Sequence, residues 1–321
     1  MNTDEIFAPI REELNAVRST MLDATKEDNP QLTGPLAHVL RNEGKLVRPA
    51  ITLLCGKLHN YNREPLVQMA AAIEFLHMAS LLHDDTIDKA DTRRGQPTVS
   101  SIWGSSTAIL IGDYLFAKSA YMVSTLNRTE LMTIFAQTLM SLCIGVLEES
   151  KNAYNSKQTR EDYYKKIDDK TASLFYLASE SGASLSDAPK TAVEALKDYG
   201  YNLGMAFQVV DDILDFTGQQ EEMGKPVGGD FLSGNLTLPA IMLMEKQPQD
   251  NSIENAFRAK CNGVDAQQII GKIKNSAMIE QSYAVANDFC FKSKQALAEM
   301  PDGDARKSLL DLADYVVERR K

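Results

Sequence analysis

The chain has 321 residues, 44% of them hydrophobic, and a formal net charge of −10. That length and apolar content are ample for a large buried core, and the acidic balance argues against nucleic-acid binding, which needs a basic face. Four cysteines, Cys55, Cys143, Cys261 and Cys290, show no CxxC spacing, so neither a disulfide framework nor a zinc site is expected.

No Pro/Gly/Ser-rich linker, low-complexity stretch or repeat interrupts the chain, so residues 1–321 are expected to form a single domain. The N-terminus carries early acids and no long apolar stretch, unlike a secretory signal. No uncharged apolar run approaches membrane-spanning length, and a cytoplasmic protein is expected. Helical periodicity starts at Phe7, Ile10, Leu14 and Val17. Helices are then expected over Met69–Asp88, Ser105–Leu126, Glu130–Glu149, Arg160–Ser181, Ala192–Phe216 and Asp304–Arg320. Loops are expected at Asp28–Gly34, Arg93–Pro97, Thr217–Gly234 and Pro301–Asp304, where Gly, Pro and polar residues gather. Beta-branched alternation is scarce. Long helices with short connections predict an all-α bundle. Cys143, in an apolar helical run, reads as a small core residue, and Trp103 as a packing residue.

Two aspartate clusters stand out. The first is LLHDDTIDKADTRRG, residues 81–95. Asp84 and Asp88 are four apart and share a helix face, Asp85 lies beside them, and Asp91 continues the stripe if the helix persists. Like charges at this spacing destabilise a helix, so a hard divalent cation is the natural compensation. The second cluster repeats the spacing with Asp211, Asp212 and Asp215, and Gln208 precedes Asp211 by three and Asp215 by seven. Lys225 and Asp230 follow in a glycine-rich loop suited to folding over an anion. One acidic cluster alone is more often a solvated helix face. Two with matched spacing, each closely following apolar residues, point to metal.

Cations to hold phosphates stand near both clusters. Lys45 and Arg48 are three apart, on one helical face; Arg93 and Arg94 follow the first cluster, and Lys170 sits in Lys170-Thr171-Ala172. Arginine suits bidentate phosphate contacts and lysine acts as a point charge. His77 lies two helical turns before Asp84 and is placed to donate to a phosphate. Singly, each of these is more often a surface charge or a packed histidine. His83 beside Asp84 invites a metal-pair reading, but the further spaced histidines it needs are missing. His38 and His59 have no supporting neighbours.

The stretches GKLVRP, AAIEFLHMASLLHDDTIDKADTRRGQPT, GDYLFAKS, KTASLF, FQVVDDILDFTG, GKPVGGD, GNLTLPAI and LADYVVERRK resemble the all-trans polyprenyl diphosphate synthases. The likeness extends over nearly the whole chain, and is to the long-chain type, the catalytic subunits of bacterial hexaprenyl, heptaprenyl and octaprenyl diphosphate synthases. The resemblance implies an isoprenoid-synthase-type helical bundle around a central cavity, and magnesium as cofactor. Two ions would sit on the side of Asp84, Asp85 and Asp88, and one on the side of Asp211, Asp212 and Asp215. It implies that Arg93, Lys170 and Lys225 hold the allylic diphosphate, farnesyl or geranylgeranyl diphosphate. Lys45, Arg48, His77 and Arg94 would hold isopentenyl diphosphate, and Thr171 and Gln208 would face the developing cation. Partners implied are a second copy or a small subunit, with transient membrane contact through a greasy product. Two departures stand out. Asn235 replaces a lysine common among relatives, and Gly145-Val146-Leu147-Glu148-Glu149 replaces their usual Gly-Glu-x-x-Gln, so no role transfers to it.

The implied chemistry needs no protein nucleophile. Metal ions and cationic side chains draw charge onto the leaving diphosphate, and the allylic cation is attacked by the isopentenyl double bond in a dry site. A terpene cyclase would replace the second aspartate motif, and a non-catalytic partner subunit would lose metal aspartates; this chain keeps them all. Short-chain synthases carry a bulky residue four or five positions before the first aspartate. Here those positions are Ser80 and Ala79, with Leu76 and Ile73 further down. A product longer than geranylgeranyl diphosphate is therefore expected, of the kind that becomes a quinone side chain.

Overall fold

The computed structural model describes residues 2–26, 29–41, 44–93, 95–218, 227–262 and 266–319. The elements are almost all helices. In chain order they are α1 (Thr3–Ile6), a 3-10 turn (Ala8–Ile10), α2 (Arg11–Ala24), α3 (Pro30–Arg41), α4 (Val47–Lys57) and α5 (Arg63–Ile87). A two-stranded ladder follows, β1 (Thr92–Arg93) antiparallel to β2 (Gln96–Pro97). Next come α6 (Val99–Trp103), α7 (Ser105–Ser124), α8 (Thr129–Lys151), α9 (Arg160–Ile167), α10 (Ser173–Leu185) and α11 (Lys190–Thr217). The chain finishes with α12 (Gly229–Leu232), α13 (Leu238–Lys246), α14 (Ser252–Arg258), α15 (Ala266–Lys274), α16 (Met278–Ala296) and α17 (Asp304–Glu318).

The residues fall into two compact units. The first comprises Met1–Met140, Leu174–Gly200 and Gln295–Leu312, and the second Ser141–Ser173, Tyr201–Lys294 and Ala313–Lys321. In the first unit α5 is the axis and packs against α7, α4 and α2. Its run from Met69 to Leu76 is buried on every side, as an apolar helix without a polar stripe must be. Each of Ile73, Phe75 and Leu76, fully buried, contributes roughly 1.5–3 kcal/mol by leaving water. The core of the second unit gathers Val209, Val210, Ile213 and Phe216 from α11 against Phe231, Leu236, Ile241, Phe257 and Ile270.

Several expectations are corrected. Of the loop expected at Asp28–Gly34, residues 30–34 belong to α3, because proline at the first helical position lacks only an N–H that has no intrahelical acceptor; Asp28 lies outside the described residues. The helix expected over Arg160–Ser181 is broken by a π-helical turn, Asp168–Ala172. There Ser173 Oγ donates back to the Asp169 carbonyl at 2.8 Å. Helix α5 stops at Ile87, and Lys89 takes φ 52°. Asp91 therefore leaves the stripe, and its carbonyl accepts the Thr98 N–H instead. Lys45 precedes α4 and does not share a helical face with Arg48, since Leu46 enters that helix in the left-handed region. Cys143 is exposed, because its face of α8 points away from the interior. Finally, Arg63–Ile87 and Thr129–Lys151 are both long and apolar enough to cross a membrane; the first is 72% buried over its most apolar window, the second 28%.

Candidate active site

The first aspartate cluster lies at the C-terminal end of α5. Asp84 is half-buried, Asp85 is 6% exposed, and Asp88, the capping residue, is exposed. Carboxylates here face the negative end of the helix dipole as well as each other. The Nε of Arg93, from β1, donates to Asp85 Oδ1 at 2.6 Å; even so, burial pushes the Asp85 carboxyl up. His83 points elsewhere. Its Nε2 lies 3.1 Å from the Ile109 carbonyl and 3.6 Å from Asp113 Oδ1, with the ring edge-on to Phe116. Gly112 makes room for it, since a Cβ there would lie 2.3 Å from His83 Nε2.

A cavity of about 330 Å³ opens in the same unit, lined by Glu74, His77, Met78, Leu81, Leu82 and Asp85 of α5 together with Arg41, Gly44, Arg93 and Val99. It joins charged groups to an apolar wall. Arg41 and Glu74 were not singled out in the sequence; Glu74 is a lone acid in an otherwise apolar run, and it is buried. Lys45 is exposed, and the Arg48 guanidinium lies 4.8 Å from the centre of the Phe175 ring; neither lines the cavity. Ile73, Leu76 and Ala79 are fully buried, and Ser80 is half-buried with its hydroxyl donating to the His77 carbonyl. None of these four lines the cavity. Arg94 and Lys225 lie outside the described residues.

The second unit carries the other cluster on the last turns of α11. Asp211 is half-buried, while Asp212 and Asp215 are 3% and 2% exposed. A chain of hydrogen bonds fixes this face. Thr171 Oγ1 donates to Gln208 Oε1 at 2.6 Å, Gln208 Nε2 to Asp212 Oδ1 at 2.7 Å, and Tyr163 Oη to Asp212 Oδ2 at 2.7 Å. Gln208 thus serves Asp212, one turn on. Burial, with Asp230 nearby, pushes the Asp212 carboxyl up to about 7 despite those donors. Asp215 accepts the Asp230 N–H at 3.2 Å, tying the cluster to the Gly228–Asp230 turn. Two features carried no local signal in the sequence. The Arg319 guanidinium meets Asp211 at 2.6 Å and covers the Phe207 ring at 3.8 Å, and the Lys170 ammonium is paired with Glu149. Asn235 is half-buried, with its N–H bonded to the Asp230 carbonyl.

The donors near both clusters are carboxylate oxygens, which suit a hard cation and not zinc or copper. Among the described residues no three Asp, Glu, His or Cys side chains converge to hold an ion by themselves. Magnesium fits such a set, because it takes one or two carboxylates and completes its octahedron with water and phosphate oxygens. A nearly buried Asp212 beside Asp230, raised toward neutrality, is a site whose charge a cation would offset.

Buried aspartates at helix ends and nearby cationic side chains, with no nucleophile–base pair among the described residues, fit a metal-assisted enzyme of diphosphate substrates. The Polyprenyl synthetase family model matches residues 29–273. The chain is 36% identical over 314 residues to the heptaprenyl diphosphate synthase component 2 of Bacillus subtilis, covering 98% of this chain and 90% of that protein. A crystal structure of a decaprenyl diphosphate synthase from Rhodobacter capsulatus matches at TM-score 0.93 and 33% identity, with both chains covered completely. A polyprenyl synthase from Caulobacter crescentus, complexed with calcium and isoprenyl diphosphate, matches at TM-score 0.94 and 31% identity over 100% of this chain and 98% of that one. The chain belongs to the polyprenyl synthetase family. It has the all-helical isoprenoid-synthase fold, and it is a magnesium-dependent prenyltransferase, a synthase of long-chain all-trans polyprenyl diphosphates.

Proposed function

We propose that the chain condenses isopentenyl diphosphate with farnesyl or geranylgeranyl diphosphate, repeatedly, to a polyprenyl diphosphate longer than geranylgeranyl, for a quinone side chain. Asp84, Asp85 and Asp88 would hold two magnesium ions, and Asp211, Asp212 and Asp215 a third. Bound magnesium supplies charge neutralisation of the leaving diphosphate. Arg93, Lys170 and Lys225 hold the allylic diphosphate; Lys45, Arg48, His77 and Arg94 hold isopentenyl diphosphate. The oxygens of Thr171 and Gln208 face the allylic cation and stabilise it without capturing it. The observation that carries this reading is the withdrawal of Asp212 from water, held from two sides by Tyr163 and Gln208. A carboxylate fixed so firmly in a low-dielectric setting is organised for a cation.

The assembly is a homodimer, or a heteromer with a small subunit. The word component in the name of the Bacillus subtilis relative supports the second form. The enzyme works in the cytoplasm, with transient membrane contact as the product lengthens. The experiment is to assay the purified chain alone with isopentenyl and farnesyl diphosphates, separating the dephosphorylated products by chromatography. Asp84→Ala and Asp211→Ala are expected to lower turnover by orders of magnitude with the helical circular dichroism nearly unchanged. Full activity in a chelator would overturn the reading, and activity only on adding a small subunit would decide the assembly.

A further inference from the structure

Lys170 stands in the middle of the π-helical turn Asp168–Ala172, and its ammonium is paired with the carboxylate of Glu149 on α8. Both side chains are largely withdrawn from water, 28% and 22% exposed. The approach is built into the backbone. Gly145, one turn before Glu149, lies so close to the turn that a Cβ there would sit 2.9 Å from the Lys170 backbone nitrogen and 3.2 Å from Asp169 Cβ. Further acids stand beside Glu149. Asp168 and Asp169 directly precede the lysine, and Glu148 adds its field to Asp169, offset in part by Lys165.

We infer that Glu149 is a built-in competitor for the Lys170 ammonium and thereby sets how weakly the chain holds its allylic diphosphate. The inference rests on the proposed reading that Lys170 holds that group. A diphosphate that takes Lys170 must draw the ammonium from Glu149 or share it. If it draws the ammonium away, a half-buried carboxylate is left without its counter-ion, which is costly. If it shares, a full negative charge faces an anion across a few ångströms of partly dry protein, where the repulsion exceeds its value in water. Either way the carboxylate opposes binding. An amide of the same shape keeps a hydrogen-bond acceptor for Lys170 and removes the charge.

The test is calorimetric titration with magnesium and the unreactive thio analogue of farnesyl diphosphate, on wild type, Glu149→Gln, Glu149→Ala, Lys170→Ala and the Glu149→Gln/Lys170→Ala pair. Both Glu149 variants are expected to bind the analogue more tightly, by roughly three- to tenfold. KM for the allylic substrate should fall in proportion, and KM for isopentenyl diphosphate should stay unchanged. In the Lys170→Ala background the Glu149 change should have little effect, since the competition needs the lysine. If Lys170→Ala weakens binding while Glu149→Gln leaves it equal or weaker, Glu149 merely positions the lysine and the inference falls, with the site intact. If Lys170→Ala binds the analogue as well as wild type, the reading of Lys170 itself falls and takes the inference with it.

Discussion

Arg319 Nη2 donates to Asp211 Oδ1 at 2.6 Å across a sequence separation of 108 residues. The same nitrogen donates to the Phe207 carbonyl at 2.9 Å, so the residue just past α17 is fastened to the helix that carries the second cluster. Removing the guanidinium should cost about 1–2 kcal/mol, from a charge-assisted bond and the face of an aromatic ring. Arg319→Gln is expected to lower the melting temperature of the metal-free protein by a few degrees. Added magnesium should raise the melting temperature more in the variant than in wild type, because the cation no longer competes with the arginine for Asp211. Equal magnesium-induced shifts would refute this.

Gly112 and His83 form a lock between α7 and α5 in the first unit. A methyl group at position 112 collides with the imidazole, and overpacking of this kind costs about 1–3 kcal/mol. Gly112→Ala should both destabilise the chain and reduce turnover, since His83 adjoins Asp84. His83→Ala added to Gly112→Ala should restore part of the stability. A double variant no more stable than Gly112→Ala in thermal melts would rule out the collision.

Much of this site was legible because local periodicity set it. Asp84 with Asp88, and Asp211 with Asp215, need only a helix to align them, and the apolar runs before them supply one. Periodicity alone does not reveal a single backbone torsion. Lys89 in the left-handed region removed Asp91 from the stripe, and Leu46 kept Lys45 off the helix of Arg48. It was silent where partners are distant in sequence. Nothing near Asp211 announces Arg319, and nothing near Lys170 announces Glu149 or the π-helical turn that holds the lysine. Cys143 was misplaced because α8 is apolar on its exposed side as well, so composition could not tell its two faces apart.

That exposed side carries Met140, Ile144 and Leu147, spaced four and three apart and 58%, 46% and 68% exposed. Exposed apolar stripes are common docking surfaces, and the dimer or heteromer proposed above predicts that this one is covered. Ile144→Asp with Leu147→Glu should shift the chain to a smaller species in sizing chromatography with light scattering. An unchanged mass would place the interface on another surface.

Ser80 offers the cleaner chain-length test of the two small positions. Ala79 is fully buried, so a phenyl ring there would strain the core, whereas Ser80 is only half-buried. Ser80→Phe is expected to shorten the product while the first condensation persists. A product distribution identical to wild type would show that another position limits chain length.

Asp168 supplies a pH effect with a definite sign. Burial, with Asp169 adjacent, pushes its carboxyl up to about 6; Tyr201 is the other titratable group that feels it. The fold therefore favours the protonated form. The contribution of Asp168 to stability is fully present below the ordinary carboxylate range and is lost as pH rises through about 6. Asp168→Asn should raise the melting temperature by a few degrees at pH 8 and scarcely change it at pH 4. A gain equal at both values would sink the assignment.

The bond between Arg93 and Asp85 makes one side chain the custodian of two charges. In the proposed roles, an arriving diphosphate cannot take the guanidinium without loosening a nearly buried carboxylate, and a loosened carboxylate attracts a cation. Substrate and metal are then thermodynamically linked, each raising the affinity of the other by the same factor. Such an enzyme loads its charge as a neutral parcel, and its saturation curves for magnesium and for allylic diphosphate have meaning only when measured together.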